Sequence, residues 1–450
     1  MSSLLQTGFG KAAITPPAAI YRMVGKRRVI EDIFARAVVI SAGSRTVAVV
    51  LLDVNAIDRA QADPIRRAVC RAIGLPPHAL ALACTHNHSG GLHLVAWVLQ
   101  RPNAQKKTYL EFLRRQVLEA VRQAWRTRRP MAWGWARGRV TDLARNRRLQ
   151  TPDGRVRTLR RADPLSWPLM DDPAVTAGPV DEELLLLTAR DEQGEVRGVL
   201  ANFAVHNSVA GMDKAVCPDV FGVAMAELER QLPGATALIT NGAEGNVDPT
   251  RTIPHLGPRD YPEALRGGKS LAGTIAGLVP QAKPLRDARL SSSWKRASFP
   301  VNEVFRQIAA GQRAFAFPEV PHLRGALPAF RSAARTGRVS GFIQRISIGE
   351  VMLIALPGEA YSETQLRIKA LRPAAPTAVV GLANGCLGYI PTAQAMAQGG
   401  YDATPSEWVR LTAEAEDIIL MTVKELMGMR RRGGAVAEGL DVRLAGVYTY

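Results

Sequence analysis

Apolar positions along this chain follow two periods. Residues 35–41 and 46–54 are apolar and β-branched almost throughout and are separated by Ala42-Gly43-Ser44-Arg45, the pattern of a hairpin. Residues 8–14 give an opening strand closed by Pro16-Pro17. Residues 60–73 are spaced as a helix. The run Ala79-Leu80-Ala81-Leu82-Ala83, preceded by Gly74-Leu75-Pro76-Pro77, is too short for a helix and predicts a buried strand. Over 108–125, Leu110, Leu113, Val117, Ala120, Val121 and Ala124 fall on one stripe, which predicts an amphipathic helix. Strands are predicted at 184–189 and 196–203, about the turn Asp191-Glu192-Gln193-Gly194, and again at 235–240, 346–356 and 377–382. Asp219 is placed to cap a helix running through Ala224 and Leu228. Asp53, at the end of the second hairpin strand, either orients a ligand or caps the next helix, and the structural role is preferred.

Toward the C-terminus the pattern changes. Residues 291–340 are basic, helix-like from Val304 to Ala310 and broken by Pro318, Pro321 and Pro328, and they read as a peripheral insertion or lid. A closing amphipathic helix is predicted over 407–427, with Leu411, Ala415, Ile418, Ile419, Val423 and Leu426 inward. Arg430, Arg431 and Arg432 follow where cations suit a helix dipole, and they open a basic tail over 430–450. Strands alternating with helices give an α/β class, read as one domain over 1–450.

Composition narrows the function classes. Apolar residues at 47% and charged residues at 22% of 450 argue for a folded core and against disorder. No apolar run has membrane-spanning length, so no transmembrane segment is expected. The start, Met1-Ser2-Ser3-Leu4-Leu5-Gln6, lacks the features of a secretory signal, which makes the cytoplasm the default. The net charge of +18 is scattered over Lys26-Arg27-Arg28, 126–129, 145–161 and 430–432. No aromatic residues interleave with these runs, so the reading is a solvated basic surface with no nucleic-acid partner. Cys70, Cys84, Cys217 and Cys386 show no paired spacing and suit reduced, buried thiols, with metal ligation the alternative for one of them.

His86 and His88 stand two apart where the strand over 79–83 ends, so they project together, and Ser89-Gly90-Gly91 then lets the backbone turn. Paired imidazoles beside an open loop suit a metal or an acid/base site; the alternative is two polar histidines satisfied by hydrogen bonds. A third, His206, follows the buried strand over 196–203, and Glu359 follows Pro357-Gly358 at the end of another. A buried strand is an unusual place from which to deliver a solvated charge.

Four segments occur in order: Thr85-His86-Asn87-His88-Ser89-Gly90, Asn202-Phe203-Ala204-Val205-His206, Leu356-Pro357-Gly358-Glu359, and Ala383-Asn384-Gly385-Cys386-Leu387-Gly388-Tyr389-Ile390-Pro391-Thr392. Together they resemble the catalytic domain of the neutral/alkaline, non-lysosomal ceramidase family, from Thr7-Gly8-Phe9-Gly10 to the last helix. The resemblance implies central mixed β-sheets flanked by α-helices, with one zinc ion per chain at the strand ends. It implies His86, His206, Glu359 and Tyr389 as zinc ligands, and His88 facing the substrate. Tyr401, after Gly399-Gly400, would donate to the substrate carbonyl, and Arg147, in Asn146-Arg147-Arg148 where the family has Asn-Arg-Ser, would bind a polar substrate group. Imidazole and carboxylate are standard zinc donors, and His88 could pass a proton to a leaving amine.

The chain also departs from that family. Gly245-Asn246-Val247-Asp248-Pro249 stands where the family has Gly-Asp-X-Ser-Pro, so Asp248 replaces its active-site serine. Ser-Gly-Pro-Gly-Gly is shortened to Ser89-Gly90-Gly91, and the family's C-terminal immunoglobulin-like domain is not expected. Asp248 would act as a general base, hold a substrate amine, or cap the turn before Pro249. The expectation is a zinc-dependent hydrolase of an amide bond in a small-molecule N-acyl substrate smaller and more polar than ceramide. A true N-acylsphingosine amidohydrolase is the alternative. A barrel-type amidohydrolase would need further ligands at strand ends, and His78, His93, His255 and His322 do not follow strands. An alternative of another class is a catalytically inactive basic binding protein on the same fold.

Overall fold

Val38, Val39 and Ile40, and Val47 through Leu52, are buried, as near-continuous apolar runs require. They form the hairpin strands Phe34–Ala42 and Arg45–Leu52, paired with Val38 opposite Val49. These coordinates are a computed structural model that describes residues 4–18, 28–90, 104–159, 166–210, 215–249, 260–314 and 330–429. Gly91, His93, His255, His322, Pro318, Pro321, Pro328 and the basic tail over 430–450 lie outside the described residues.

The hairpin belongs to a mixed sheet whose strands run in the order Thr236–Asn241, Val196–Phe203, Glu183–Arg190, Arg129–Arg139, Leu5–Ala13, Phe34–Ala42, Arg45–Leu52 and Leu80–Cys84. The outermost pair at each edge is parallel and the pairs between are antiparallel. The two edges come together: Asn241 Nδ2 donates to the Thr85 carbonyl at 3.3 Å, joining the ends of Thr236–Asn241 and Leu80–Cys84. That closure brings histidine-bearing strand ends from opposite edges to one place.

The long helix Ala104–Arg126 lies on Leu5–Ala13. Gly8 and Gly10 permit this, since a Cβ there would stand 2.0 Å from the Ala124 carbonyl oxygen and 1.9 Å from that of Ala120. Helix Arg59–Ile73 crosses between the two parallel edge strands. Its N-cap is Asp58, in a capping box with Gln61, so Asp53 does not cap it. Helix Asp219–Gln231 packs on Thr236–Asn241. Asp219, the first residue of that helix, accepts from the amide of its second residue, Val220, on Oδ1. Its carboxylate also takes the Val209 and Ala210 amides, and Asn207 Oδ1 accepts from Phe221 N.

A second sheet contains Leu290–Pro300, Arg338–Ile348, Val351–Ala355 and Thr377–Val380. The single strand expected over 346–356 is therefore a hairpin, because Gly349, at φ 57°, supplies the left-handed residue of a tight turn. Of the stretch 291–340, residues 290–300 are a strand of this sheet and Glu303–Ala310 is a helix. The closing helix is Ala415–Leu426, shorter than the periodicity predicts. Val409 and Leu411 are instead drawn into bridges with Gly388 and Val301, so Leu411 is buried by strand-like pairing rather than on a helical stripe. The larger apolar core fills the first sheet and one face of the second; another lies between the second sheet and the closing helix. The fold is α/β, with mixed sheets flanked by helices. Among the described residues no helix is long and apolar enough to cross a membrane.

Candidate metal centre

Asp53 shapes the first histidine segment. Its Oδ1 accepts from Thr85 Oγ1 at 2.8 Å and from Asn87 Nδ2 at 3.1 Å, clamping both neighbours of His86. Between them His86 takes φ 62°, a left-handed conformation that a non-glycine residue keeps only when its surroundings impose it. His86 Nδ1 lies 3.2 Å from the Asn55 carbonyl oxygen; in the tautomer that donates there, Nε2 is left as a lone pair.

His206 is set in the same way. Its amide donates to the Val247 carbonyl, and Nδ1 lies 2.8 Å from the Glu244 carbonyl oxygen, so Nε2 points inward with no partner. Burial, then Arg147 and His86, holds this imidazole well below its usual range, so it is neutral and suited to ligation. Glu359 arrives on a two-residue strand, Glu359–Ala360, that pairs in parallel with Tyr389–Ile390, placing Glu359 opposite Tyr389. Gly245 lets the Glu244 loop close on it, since a Cβ there would lie 2.3 Å from the Glu359 carbonyl oxygen.

The three converge. Glu359 Oε2 is 3.5 Å from His86 Nε2 and 3.6 Å from His206 Nε2, and it accepts no hydrogen bond. Donors about 2.0–2.2 Å from one ion stand roughly 3.3–3.6 Å apart in a tetrahedral arrangement. Two unpartnered, buried donor atoms at that spacing fit a cation such as zinc. His88, half-buried, places Nε2 3.1 Å from His86 Nε2, and its amide donates to the Asn207 carbonyl. Burial raises the Glu359 carboxyl to about 7 against the opposing pull of Arg147, Arg410 and Tyr389.

The other expected residues lie around this centre. The Tyr389 ring stacks on His206 at 6.3 Å between centroids and faces Arg147. Burial pushes the Tyr389 phenol up, which favours the neutral donor over a phenolate. Tyr401 meets Tyr389 edge-on at 5.9 Å, and Arg147 lies over both rings. Arg147 Nε donates to Asp402 at 2.8 Å, Nη1 to Asp248 at 3.2 Å and Nη2 to the Gly245 carbonyl. Its first role is thus to position this loop. Asp248 Oδ1 is also 3.7 Å from His206 Nδ1. All eight candidate residues come together. Cys84, Cys217 and Cys386 are buried thiols whose pKa burial pushes up, to about 12 for Cys217 and Cys386, as expected of apolar fillers.

Two residues escaped the sequence reading. Asp402 is fully buried and accepts from both Arg147 and Arg148; burial alone would raise its carboxyl, and the two cations outweigh it and hold it low. Glu244 is fully buried, with neither oxygen hydrogen-bonded, and it groups with His86 and Glu359 so that their ligand atoms lie within 4.8 Å of one another. Its signal in the sequence equals that of Glu359, a carboxylate after a buried strand and a glycine, at Asn241-Gly242-Ala243-Glu244.

Asp53 gives a pH prediction that does not depend on the metal ligands. Burial raises its carboxyl from 3.8 to about 7, opposed by Arg36, Thr85 and Asn87. A raised folded-state value means stability present below about pH 4 and lost as pH rises toward 7, up to roughly 4 kcal/mol. Asp53→Asn is expected to flatten that slope in chelator-treated protein, read by urea unfolding between pH 4.5 and 8. A slope unchanged by the substitution would remove Asp53 as its source.

No family profile matches the chain, and no curated protein does. Solved structures match it along nearly its whole length. A ceramidase complexed with C2 aligns with a TM-score of 0.69 at 18% identity, covering 98% of this chain and 78% of that one. The neutral ceramidase from Pseudomonas aeruginosa aligns with a TM-score of 0.69 at 19% identity, covering 98% and 77%. The fold is that of these ceramidase structures, as the order of the motifs implied.

Proposed function

We propose that this chain is a zinc-dependent hydrolase that cleaves the amide bond of a small, polar N-acyl substrate. The observation that carries the reading is the convergence of His86, His206 and Glu359, with His206 Nε2 and Glu359 Oε2 buried and unpartnered. The likeness of fold to neutral ceramidases supports the same reaction class and leaves the substrate open. His86, His206 and Glu359 would hold the ion, with Tyr389 beside them. Zinc at such a site acts as a Lewis acid toward a carbonyl and makes water acidic enough to serve as nucleophile near neutral pH.

The chain's own groups supply the rest. His88, next to His86 and partly open, would carry a proton to the leaving nitrogen. Tyr401, over Arg147 and against Tyr389, would donate to the carbonyl oxygen as negative charge develops there. Asp248, held by Arg147 beside His206, would accept a proton from water or bind an amine of the substrate. The Arg147–Asp248 pair at the position of the family's serine favours a polar substrate over a long-chain lipid amide.

The test is a panel of N-acyl amines and N-acyl amino acids incubated with the purified, zinc-loaded chain and read by mass spectrometry, with ceramide in mixed micelles alongside. Turnover of a soluble N-acyl compound ahead of ceramide is expected. Faster turnover of ceramide would make the chain a ceramidase, and no turnover with no bound zinc would leave a basic binding protein on this fold. Tyr401→Phe is expected to lower kcat on the best substrate by about 100-fold. A parental rate would withdraw its role as carbonyl donor.

A further inference from the structure

We propose that Glu244 is a direct ligand of the ion held by His86, His206 and Glu359, so that the centre presents two imidazoles and two carboxylates and takes manganese as well as zinc. The inference rests on the reading of this centre as a metal site and adds to it a ligand and a metal preference. Glu244 is fully buried, yet neither of its oxygens has a hydrogen-bond partner. Natural folds rarely leave a buried carboxylate in that state without a cation to answer it. In the same centre His206 Nε2 and Glu359 Oε2 are likewise buried and unpartnered, and the ligand atoms of Glu244, His86 and Glu359 lie within 4.8 Å of one another. Arg147, the buried cation that acts on Glu244, is engaged by Asp402, Asp248 and the Gly245 carbonyl.

The local backbone keeps the carboxylate where it is. Val247 N donates to the Glu244 carbonyl, which also lies against His206 Nδ1, so this one residue fixes the orientation of one ligand. Gly381 clears the space the carboxylate occupies, since a Cβ there would stand 2.7 Å from Glu244 Oε2. Glu359 and Glu244 do not hydrogen-bond to each other, although their ligand atoms lie close enough to share an ion. Two carboxylates and two neutral imidazoles around a divalent ion give a centre of zero net charge. A donor set richer in oxygen favours harder ions, so manganese gains relative to a centre with one carboxylate.

The test compares the full wild-type chain with Glu244→Gln, both stripped by chelator and titrated with Zn2+, Mn2+ and Co2+ alone. Wild type is expected to bind one ion of each. Glu244→Gln is expected to lose about 100-fold in Zn2+ affinity and more in Mn2+ affinity, and to shift the visible absorption bands of the Co2+ form. The metal-free variant is expected to melt no lower than metal-free wild type, because it replaces an unpartnered buried carboxylate. Should the amide fail to fold, Glu244→Ala is measured in its place. Unchanged affinities overturn the inference, as does a loss of affinity with an unchanged Co2+ spectrum, which would make Glu244 a positioning residue. A metal-free variant melting well below wild type overturns it too, since it would reveal a structural partner. If wild type binds none of the three ions, the reading as a metal hydrolase falls with it; if wild type binds them and Glu244→Gln does so equally, only the assignment of Glu244 falls.

Discussion

His206→Ala is expected to retain less than about a tenth of the wild-type zinc after dialysis and to lose activity by more than about 1000-fold, beyond the usual cost of one electrostatic donor. The size of the effect follows from how the imidazole is held. Its Nδ1 faces the Glu244 carbonyl and its Nε2 has no partner but the centre, so the whole imidazole is committed to the site. The backbone bond from His206 N to the Val247 carbonyl does not involve the side chain, and the variant should keep its circular dichroism. The metal-free proteins give a second readout. The folded-state imidazole lies well below its usual range, so the unfolded chain binds the extra proton and stability is lost as pH falls below about 6.5. Removing the imidazole removes that loss, and the variant should be less sensitive to acid than metal-free wild type. Full zinc occupancy in His206→Ala would place the ion elsewhere, and full activity would place the chemistry elsewhere.

The strands that end in His86 and His206 were legible because both are short apolar runs bounded by turn residues, and such runs are buried whatever their partners. The meeting of the two was not legible from periodicity. They sit near opposite edges of one sheet, and only its closure through Asn241 and Thr85 joins them. The motifs bridged that gap, since their order along the chain resembled a fold in which those strand ends converge. The errors have local causes. Gly349 turned one expected strand into a hairpin, and Leu411, in phase with the closing helix, is buried by pairing with Val301. Asp219 does take the Val220 amide at the start of its helix, and Asn207, distant in sequence, takes the next one. Glu244 went unseen because, although it follows a buried strand as Glu359 does, it falls in none of the four segments that carried the resemblance.

Arg147→Ala is expected to destabilise the protein by about 3–5 kcal/mol and to lower kcat by about 100-fold or more, with little change confined to KM. The guanidinium is buried and bonds to protein through all three nitrogens, to Asp402, Asp248 and the Gly245 carbonyl, while it lies over Tyr389 and Tyr401. Its loss leaves the fully buried Asp402 carboxylate with Arg148 alone, and an uncompensated charge in that position is the main source of the cost. It also frees the turn that carries Glu244 and Asp248, and a displacement of about 1 Å at reacting groups is enough for a 100-fold loss. Lysine offers a point charge without the planar fork, so Arg147→Lys should recover part of the stability and little of the rate. A residue that served only to bind a polar group of the substrate would behave differently. Its replacement would raise KM, leave urea unfolding unchanged and leave zinc affinity intact, and that combination would return Arg147 to the role of substrate ligand.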